Sequence, residues 1–344
     1  MMARKDIFAP GKLPMEELEK LLKRYTTTDP RVIVGARIGE DAAVIEGKDR
    51  YLVVKTDPIT FVAEDIGWYV IHVNANDLAT RGARPQWFLA TLLLPEGSTC
   101  PESVDKIFGQ ISQACKSLKI SWVGGHTEIT HGLERPLVVG CMLGEVEKDK
   151  LVTTAGAQVG DDIILTKGIA IEATSIMARE RADLLRERGY EDEFLSRCRN
   201  FLYHPGISIM REAMLAAEVA SIHSMHDPTE GGLASGLLEL AWAAGVGLRV
   251  DLGRIRIYPE TQALCQEFSL DPFGLIASGA LLLTLPPEQT PGLLERFARE
   301  GIEACRIGEI TLKEKGIKAW DVNGERELPH FERDEITKIF KIGT

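Results

Sequence analysis

Acidic residues of this chain recur where predicted strands meet turns, and their types and spacing could support chemistry. Asp41 precedes the apolar residues 42–45, and Asp57 stands between Thr56 and Pro58. The two aspartates flank a predicted β-hairpin, so their carboxylates leave the same end of its strands. Converging carboxylates need a cation, and oxygen ligands of this kind suit Mg²⁺, which usually shares its coordination shell with phosphate oxygens. The pattern therefore predicts a site for metal-bound polyphosphate.

Three further segments, residues 74–78, 124–128 and 226–232, combine acidic residues with glycines or with the start of a helix. Successive backbone N–H groups at a double glycine can cradle an anion, and the N-terminus of the helix predicted after residue 229 favours one. The simpler alternative is structural. An aspartate beside glycine or proline usually forms a turn or an N-cap, and an isolated histidine such as His126 is more often a structural hydrogen-bonding group than a metal ligand.

Composition limits the possible partners of the chain. Its 344 residues carry a net charge of −11, which disfavours nucleic acid and anionic lipid surfaces. We find neither an N-terminal apolar segment nor an apolar run of about 18 residues, so we expect a cytoplasmic protein without a membrane span. Walker A, Rossmann, nucleophile-elbow and zinc-protease motifs are also absent from the sequence. A small-molecule substrate is the remaining expectation.

The element pattern predicts two α+β domains, at residues 1–148 and 149–344, separated near the polar stretch 147–160. The first combines a hairpin, strands at 87–94, 120–123 and 137–146, and helices at 64–80 and 101–119. Strands 87–94 and 137–146 are apolar on both faces, and helices of the same domain cover only one face. We therefore expect a homodimer through the N-terminal strands; cover by the second domain is the alternative.

An ordered set of motifs spans nearly the whole chain. It runs GKL (11–13), IGEDAAV (38–44), TD (56–57), NDLA (76–79), GARP (82–85), GGHT (124–127), PGIS (205–208) and DPTEGGLA (227–234). This set resembles the superfamily of aminoimidazole ribonucleotide synthetase, thiamine-monophosphate kinase, selenophosphate synthetase and the hydrogenase maturation protein HypE. Within that superfamily, the NDLA, GARP, PGIS and DPT segments are most similar to HypE.

The resemblance implies a two-domain PurM-like fold, with a mixed-sheet N-terminal domain that dimerises through its strands and an α+β C-terminal domain. It also implies ATP and Mg²⁺ as cofactors, bound in a cleft near the dimer interface. Carried over by position, the residues that would hold Mg²⁺ and phosphates are Asp41, Asp57 and Asp77, which are also the catalytic candidates. The nucleotide-binding candidates are Lys12, Gly124, Gly125, His126, Thr127, Asp227 and Thr229.

Two departures from HypE bear on the reaction. HypE ends in a Pro-Arg-Ile-Cys tail whose cysteine carries a carboxamide that ATP dehydrates to a nitrile, whereas no cysteine follows Cys305 here, so we expect no nitrile on a tail thiol. Glu230 and His126 replace an arginine and an aspartate of HypE. His126 instead resembles the glycine-histidine motif of selenophosphate synthetase, although the N-terminal cysteine or selenocysteine loop of that enzyme has no counterpart in this sequence. We therefore expect an Mg-ATP-dependent enzyme that activates a small amide, carbonyl or phosphate-bearing substrate. A small-molecule kinase and a non-catalytic nucleotide-binding maturation scaffold are the alternatives.

Overall fold

The chain folds into two β-sheets with helices packed on them, in a computed structural model that describes Phe8, residues 11–27 and residues 29–341. No helix within these ranges is both long enough and apolar enough to cross a membrane. Lys12 and all other candidate site residues lie within the described ranges.

The first sheet has six strands in the order β1-β2-β3-β6-β4-β5, and every pair is antiparallel except β4 with β5. This arrangement confirms the predicted mixed sheet. Its elements are β1 (Val32–Val34), β2 (Ala43–Glu46), β3 (Arg50–Ile59), β4 (Arg84–Pro95), β5 (Ser121–Thr130) and β6 (Leu137–Glu147), with helices α1 (Met15–Tyr25), α2 (Ile66–Ala79) and α3 (Pro101–Leu118).

Side chains of β4 alternate between the two faces of this sheet, as the two-residue period of a strand requires. Phe88 and Leu92 are fully buried in the core that α2 and α3 share, where each contributes roughly 1.5–3 kcal/mol. Leu89 and Leu93 point to the other face and are only half-buried. One face of the sheet is therefore covered by helices, and the second face remains partly open.

Close packing against β6 and hydrogen bonds to residues 207 and 209 fix the position of helix α2. At Gly140 of β6, an added Cβ would lie 2.4 Å from Nδ2 of Asn74, so only glycine lets the helix approach this closely. Farther along α2, Nδ2 of Asn76 donates to the carbonyl of Ile207 at 2.8 Å, and its Oδ1 accepts from Ile209 N at 2.9 Å. These contacts fix Asp77, the next residue, between the two halves of the chain.

The second sheet has seven strands in the order β13-β12-β9-β11-β7-β10-β8, with β9 and β12 as its parallel pair. Its strands are β7 (Asp162–Thr166), β8 (Ser224–His226), β9 (Gly247–Asp251), β10 (Leu282–Leu285), β11 (Ala304–Thr311), β12 (Ile317–Asp321) and β13 (Gly324–Glu327). The helices are α4 (Ile171–Glu180), α5 (Ala182–Glu187), α6 (Asp192–Asn200), α7 (Met210–Val219), α8 (Gly232–Ala244), α9 (Pro259–Phe268) and α10 (Thr290–Arg299).

Two elements differ from the sequence-based expectation. Helix α10 lacks a clear helical signal in the sequence, although Leu293 and Phe297 form its buried stripe, because Pro291 and Gly292 at its start resemble a turn. Strand β5 extends through residues 124–127, where a glycine turn that cradles an anion was an option. The cause is visible at Gly125: a Cβ there would lie 1.9 Å from the carbonyl oxygen of Ala90. The glycine permits close pairing of β5 with β4.

Candidate active site

Three buried aspartates converge between the two halves of the chain. Asp41 lies just before β2, Asp77 lies in the last turn of α2, and Asp227 directly follows β8. One carboxylate oxygen from each lies within 4.8 Å of the others, and the three residues are 9%, 3% and 1% exposed. We call this group the aspartate cluster. Oxygen atoms at this spacing can coordinate one metal ion.

Burial and mutual repulsion determine how the aspartate cluster ionises. Burial raises the pKa of Asp77 to about 8, with Asp57 and Asp41 adding to the shift and Lys55 opposing it. The pKa of Asp227 is also raised well above its usual value, chiefly by burial and then by Asp77. Without a cation, the charged forms of both carboxylates are therefore disfavoured. A divalent ion would favour the charged forms by compensating them.

His226 keeps the third member, Asp41, ionised. Its Nδ1 lies 2.7 Å from Oδ1 of Asp41, and its Nε2 lies 2.9 Å from Oε2 of Glu239. Burial alone would lower the pKa of His226, but the two carboxylates raise it to about 10. Burial alone would raise the pKa of Asp41, but His226 and Arg81 hold it below its usual range. The result is a buried imidazolium between two carboxylates.

Arg81 is fully buried behind the cluster and fixes the loop that carries Asp41. Its guanidinium pairs with Glu40, and its Nη2 donates to Oδ2 of Asp41 at 3.0 Å. The same nitrogen donates to Oγ1 of Thr154 at 2.8 Å and to the carbonyl of Met225 at 3.0 Å. Because Met225 is in β8, this one side chain joins the loop before β2 to the strand that precedes Asp227.

The structure does not place Asp57 in the aspartate cluster, where the sequence suggested it as a ligand. Lys55, on the same face of β3, stands between them, with its Nζ 3.3 Å from Oδ2 of Asp77 and 3.7 Å from Oδ2 of Asp57. Asp57 instead lines a cavity together with Thr229 and Glu230. The prediction that Asp57 lies at the same end of the hairpin as Asp41 is sound, but the intervening lysine separates their carboxylates.

Lys12 and Thr229 meet at the edge of this region. Nζ of Lys12 donates to Oγ1 of Thr229 at 3.0 Å, and it lies 3.6 Å from both Glu230 and Glu239. Glu239 in turn contacts His226, so Lys12 connects to the aspartate cluster through a short chain of charges. About half of the Lys12 side chain is exposed, while its ammonium group is engaged by Thr229, Glu230 and Glu239.

The four residues of the GGHT segment lie apart from this group. Gly124, Gly125, His126 and Thr127 are exposed on β5, an edge strand that β6 and β4 separate from β3. His126 contacts Glu128 of the same strand at 3.2 Å. Within one chain, therefore, these residues do not join the aspartates, and their predicted contact with nucleotide requires a ligand or second chain that reaches β5.

The residues present fit a bound Mg²⁺. Both carboxylate oxygens of Asp227 are buried and have no hydrogen-bond partner, and Oδ2 of Asp77 is buried with only the ammonium group of Lys55 beside it, at 3.3 Å. A buried polar atom without a partner costs about 1–3 kcal/mol, and more when it is charged. Carboxylate oxygens from these two residues and from Asp41, within 4.8 Å of one another, form the hard donor set that Mg²⁺ prefers.

Comparison with known proteins decides the family. Residues 39–146 match the family model for the N-terminal domain of AIR synthase related proteins, and residues 158–321 match the model for its C-terminal domain. Together the two matches cover most of the chain. The chain belongs to the AIR synthase related family. The predictions of an AIR synthase-related enzyme and of an α+β fold of the PurM type are thereby confirmed.

Relatives of this AIR synthase related protein include hydrogenase maturation proteins. A Methanocaldococcus jannaschii protein named for hydrogenase expression/formation is 29% identical over 340 residues, which cover 96% of this chain and 97% of that protein. Carbamoyl dehydratase HypE of Azotobacter vinelandii is 30% identical, covering 87% of each chain. Selenide, water dikinase of Photorhabdus laumondii is 25% identical, covering 86% of this chain and 89% of its own.

Solved structures confirm the fold of the AIR synthase related chain. Hydrogenase maturation protein HypE in complex with ATP has a TM-score of 0.70 at 21% identity, covering 95% of this chain and 97% of its own. AaThiL complexed with AMPPCP and TMP has a TM-score of 0.69 at 21% identity, covering 94% and 99%.

Sequence reasoning missed four residues that hold the aspartate cluster together, namely Lys55, Arg81, His226 and Glu239. His226 carried a usable signal, because it directly precedes Asp227 in a glycine-rich segment at a predicted helix start. Arg81 carried no such signal in the sequence, since an arginine before a glycine resembles an exposed loop residue. Asp227 was assigned to nucleotide binding rather than to the metal, and its position beside Asp41 and Asp77 makes it a candidate ligand.

Proposed function

We propose that this protein is an Mg-ATP-dependent enzyme that activates a small amide, carbonyl or phosphate-bearing substrate. The observation that supports this most is the aspartate cluster, in which three buried carboxylates converge and both oxygens of Asp227 have no hydrogen-bond partner within the described chain. The names of related proteins favour the same chemistry, since they include a carbamoyl dehydratase and a dikinase. Related folds also hold ATP or AMPPCP.

Asp41, Asp77 and Asp227 would hold the Mg²⁺, which would compensate charge on a transferred phosphoryl group. Around them, the chain's own residues supply fixed charge. His226 and Arg81 keep Asp41 ionised and immobile, so the site is organised before ligand arrives. Lys55 and Lys12 place ammonium groups on two sides of the site, where a polyphosphate chain needs positive charge. Positioning and electrostatics of this kind account for most of the acceleration in phosphoryl transfer.

Calorimetric titration of Mg²⁺ and of a non-hydrolysable Mg-ATP analogue tests the proposal. Asp227→Asn removes a candidate ligand whose carboxylate oxygens make no hydrogen bond within the described chain, and we expect it to weaken binding at least about ten-fold, or about 1.4 kcal/mol. Asp57→Asn should weaken binding less, because Lys55 separates Asp57 from the cluster. Asp149→Asn, on the exposed surface, is the control. Equal affinity of the wild type and Asp227→Asn would contradict the assignment.

A small-molecule kinase is the second candidate. It is favoured by the dikinase relative and by the fold shared with thiamine monophosphate kinase from Aquifex aeolicus, which has a TM-score of 0.67 at 19% identity. Product analysis separates the two reactions. An activating enzyme that displaces phosphate releases ADP and inorganic phosphate, whereas a kinase releases ADP and a phosphorylated product. Binding of Mg-ATP without turnover of any candidate substrate would instead favour a maturation scaffold.

A homodimer through the first sheet is part of this proposal. On the face away from α2 and α3, Leu89 and Leu93 of β4 adjoin Val139 and Cys141 of β6, and all four are half-buried. A twofold partner that presents the same surface would bury this apolar face. In this dimer, β5 of one chain, which carries the GGHT segment, has a way to approach the active site of the partner chain. Sedimentation at micromolar concentration should give twice the subunit mass.

A further inference from the structure

A second site adjoins the aspartate cluster, in a cavity between the two halves of the chain. Its walls come from the end of β3, from the start of α4 and from the segments before α8 and β10. The polar side chains that line it include Asp57, Glu172, Thr229, Glu230 and Ser278. We call this cavity the Glu172 pocket. Lys55 joins it to the aspartate cluster, because its ammonium group lies between Asp57 and Asp77.

Glu172 is the group in this pocket that lacks compensation. It is only 4% exposed, and its Oε2 makes no hydrogen bond. Ser278 is completely buried on the same cavity wall, and it is the neighbour that opposes the rise in the pKa of Glu172. Packed cores do not retain unpaired polar atoms such as Oε2 of Glu172, since each costs about 1–3 kcal/mol. A buried carboxylate oxygen without a partner on the wall of a cavity points to a ligand that supplies a hydrogen-bond donor.

The charges around the pocket identify the chemical class of that ligand. Lys55 lies 3.7 Å from Asp57, and Lys12 lies 3.6 Å from Glu230, so each of these carboxylates has a cation beside it. Among the described residues, no lysine, arginine or histidine nitrogen lies within 4 Å of Glu172. Burial raises the pKa of Glu172 to about 8, with Glu230, Asp334 and Asp57 adding to the shift and Ser278 opposing it. The pocket therefore has one carboxylate more than it has cations.

Apolar side chains complete the walls. Ile59, Val62, Val73 and Ile276 line the cavity beside the polar groups. A ligand that fills it would place a short apolar portion against these side chains and a polar end at Glu172 and Ser278. An anionic end would be repelled by three carboxylates, and a neutral end would leave the excess charge uncompensated.

We propose that the Glu172 pocket receives the cationic nitrogen group of the substrate, an ammonium or a guanidinium, with Glu172 and Ser278 as specificity-determining residues. This inference rests on the proposed function, since it makes the pocket the acceptor side of the Mg-ATP site. The reacting part of the substrate would then face Lys55 and the aspartate cluster while its cationic end is held at Glu172. Glu172 acts on binding and orientation, and no bond is made or broken there.

Calorimetric titration with four matched probes tests the proposal on the full chain. The probes are n-butylammonium, n-butylguanidinium, the neutral valeramide and the anionic valerate. We expect one or both cations to bind at millimolar concentration and the other two probes to bind at least ten-fold more weakly. Comparison of n-butylammonium with n-butylguanidinium distinguishes an amine substrate from a guanidine substrate. Absence of binding by both cations, or equal binding of valerate, would overturn the proposal.

Variants locate the binding. Glu172→Gln keeps the shape of the side chain and removes the charge, and we expect it to lose at least ten-fold in affinity for the cation that binds. Ser278→Ala removes one acceptor and should lose less. Glu295→Gln, on the exposed surface of α10, is the charge-matched control and should bind as the wild type does. Unchanged cation affinity in Glu172→Gln would place the binding elsewhere and overturn the proposal.

A parallel titration of Mg-ATP into the wild type distinguishes the two claims. Failure of Mg-ATP to bind refutes the proposed function, whatever the cation probes do. Binding of Mg-ATP with no preference for cationic probes refutes only the assignment of the Glu172 pocket. Glu172 has no cation beside it, so Glu172→Gln removes a buried carboxylate without breaking an ion pair. Thermal unfolding of this variant should therefore show a midpoint equal to or above that of the wild type.

Discussion

Asp77→Asn should stabilise the metal-free protein at neutral pH and abolish its stabilisation by Mg²⁺. Asp77 is 3% exposed, and its pKa is raised to about 8, chiefly by burial. A raised carboxyl pKa means that stability is fully present below the unfolded value near 3.8 and is lost as pH rises through the folded value. At 1.36 kcal/mol per unit, ionisation of Asp77 in the unfolded chain costs the folded state about 4 kcal/mol at pH 7.

The raised pKa of Asp77 already includes the opposing effect of Lys55, whose Nζ lies 3.3 Å from Oδ2 of Asp77, so no separate contribution is subtracted for this contact. An asparagine at this position cannot ionise, and the variant therefore avoids the cost. We expect a net gain of up to about 4 kcal/mol at pH 7 and little or no gain near pH 4.

Urea unfolding in EDTA at several pH values between 4 and 8 measures this difference. The wild type should lose stability relative to Asp77→Asn as pH rises, and added Mg²⁺ should restore the wild type but not the variant. Asp149→Asn, which changes an exposed aspartate, should follow the wild type throughout. A stability difference that does not change with pH, or an equal Mg²⁺ response in both proteins, would refute the assignment of Asp77 to a cation site.

Three further predictions address the residues around the aspartate cluster. Arg81→Met should destabilise the fold by about 3–5 kcal/mol in urea unfolding, because it leaves buried carboxylates without their cation. His226→Gln should remove the loss of stability that the wild type shows between pH 6.5 and 10, since the pKa of His226 is raised to about 10 and its stabilisation disappears as pH rises through that range. Leu93→Glu should give a folded monomer in sedimentation, because Leu93 faces the open side of the sheet. Leu92→Glu should fail to fold, because Leu92 is fully buried. A dimeric Leu93→Glu protein would argue against the proposed interface.

The contrast between Leu92 and Leu93 shows what a periodic pattern leaves undetermined. The sequence predicts that β4 is apolar on both faces, and it does not say which face the helices cover. From the sequence, Leu92 is as suitable as Leu93 for a charged substitution that disrupts the dimer. In the structure, however, Leu92 packs in the core with Tyr69 and Ile111. The register of β4 against α2 and α3 is a tertiary property, because a shift by one residue exchanges the two faces.

The same reasoning explains which parts of the site could be predicted. Asp41 and Asp77 were identified as metal candidates because each sits in a recognisable motif. Asp227 was identified as a site residue but not as a ligand, because its place beside Asp41 depends on how the second sheet packs against the first. The displacement of Asp57 has a local cause, since Lys55 two residues earlier shares its face of β3 and occupies the space between them.

Charge balance gives the aspartate cluster its requirement for a metal. Glu40, Asp41 and Glu239 all have cationic side chains beside them, from Arg37, Arg81, His226 and Lys12. Asp77 has only Lys55 beside it, and no cationic nitrogen of the described residues lies within 4 Å of Asp227. These are the two members of the cluster whose pKa values are raised, and both oxygens of Asp227 lack a hydrogen-bond partner. A divalent ion would supply positive charge at the point where it is missing, which is why one Mg²⁺ is the simplest occupant of this site.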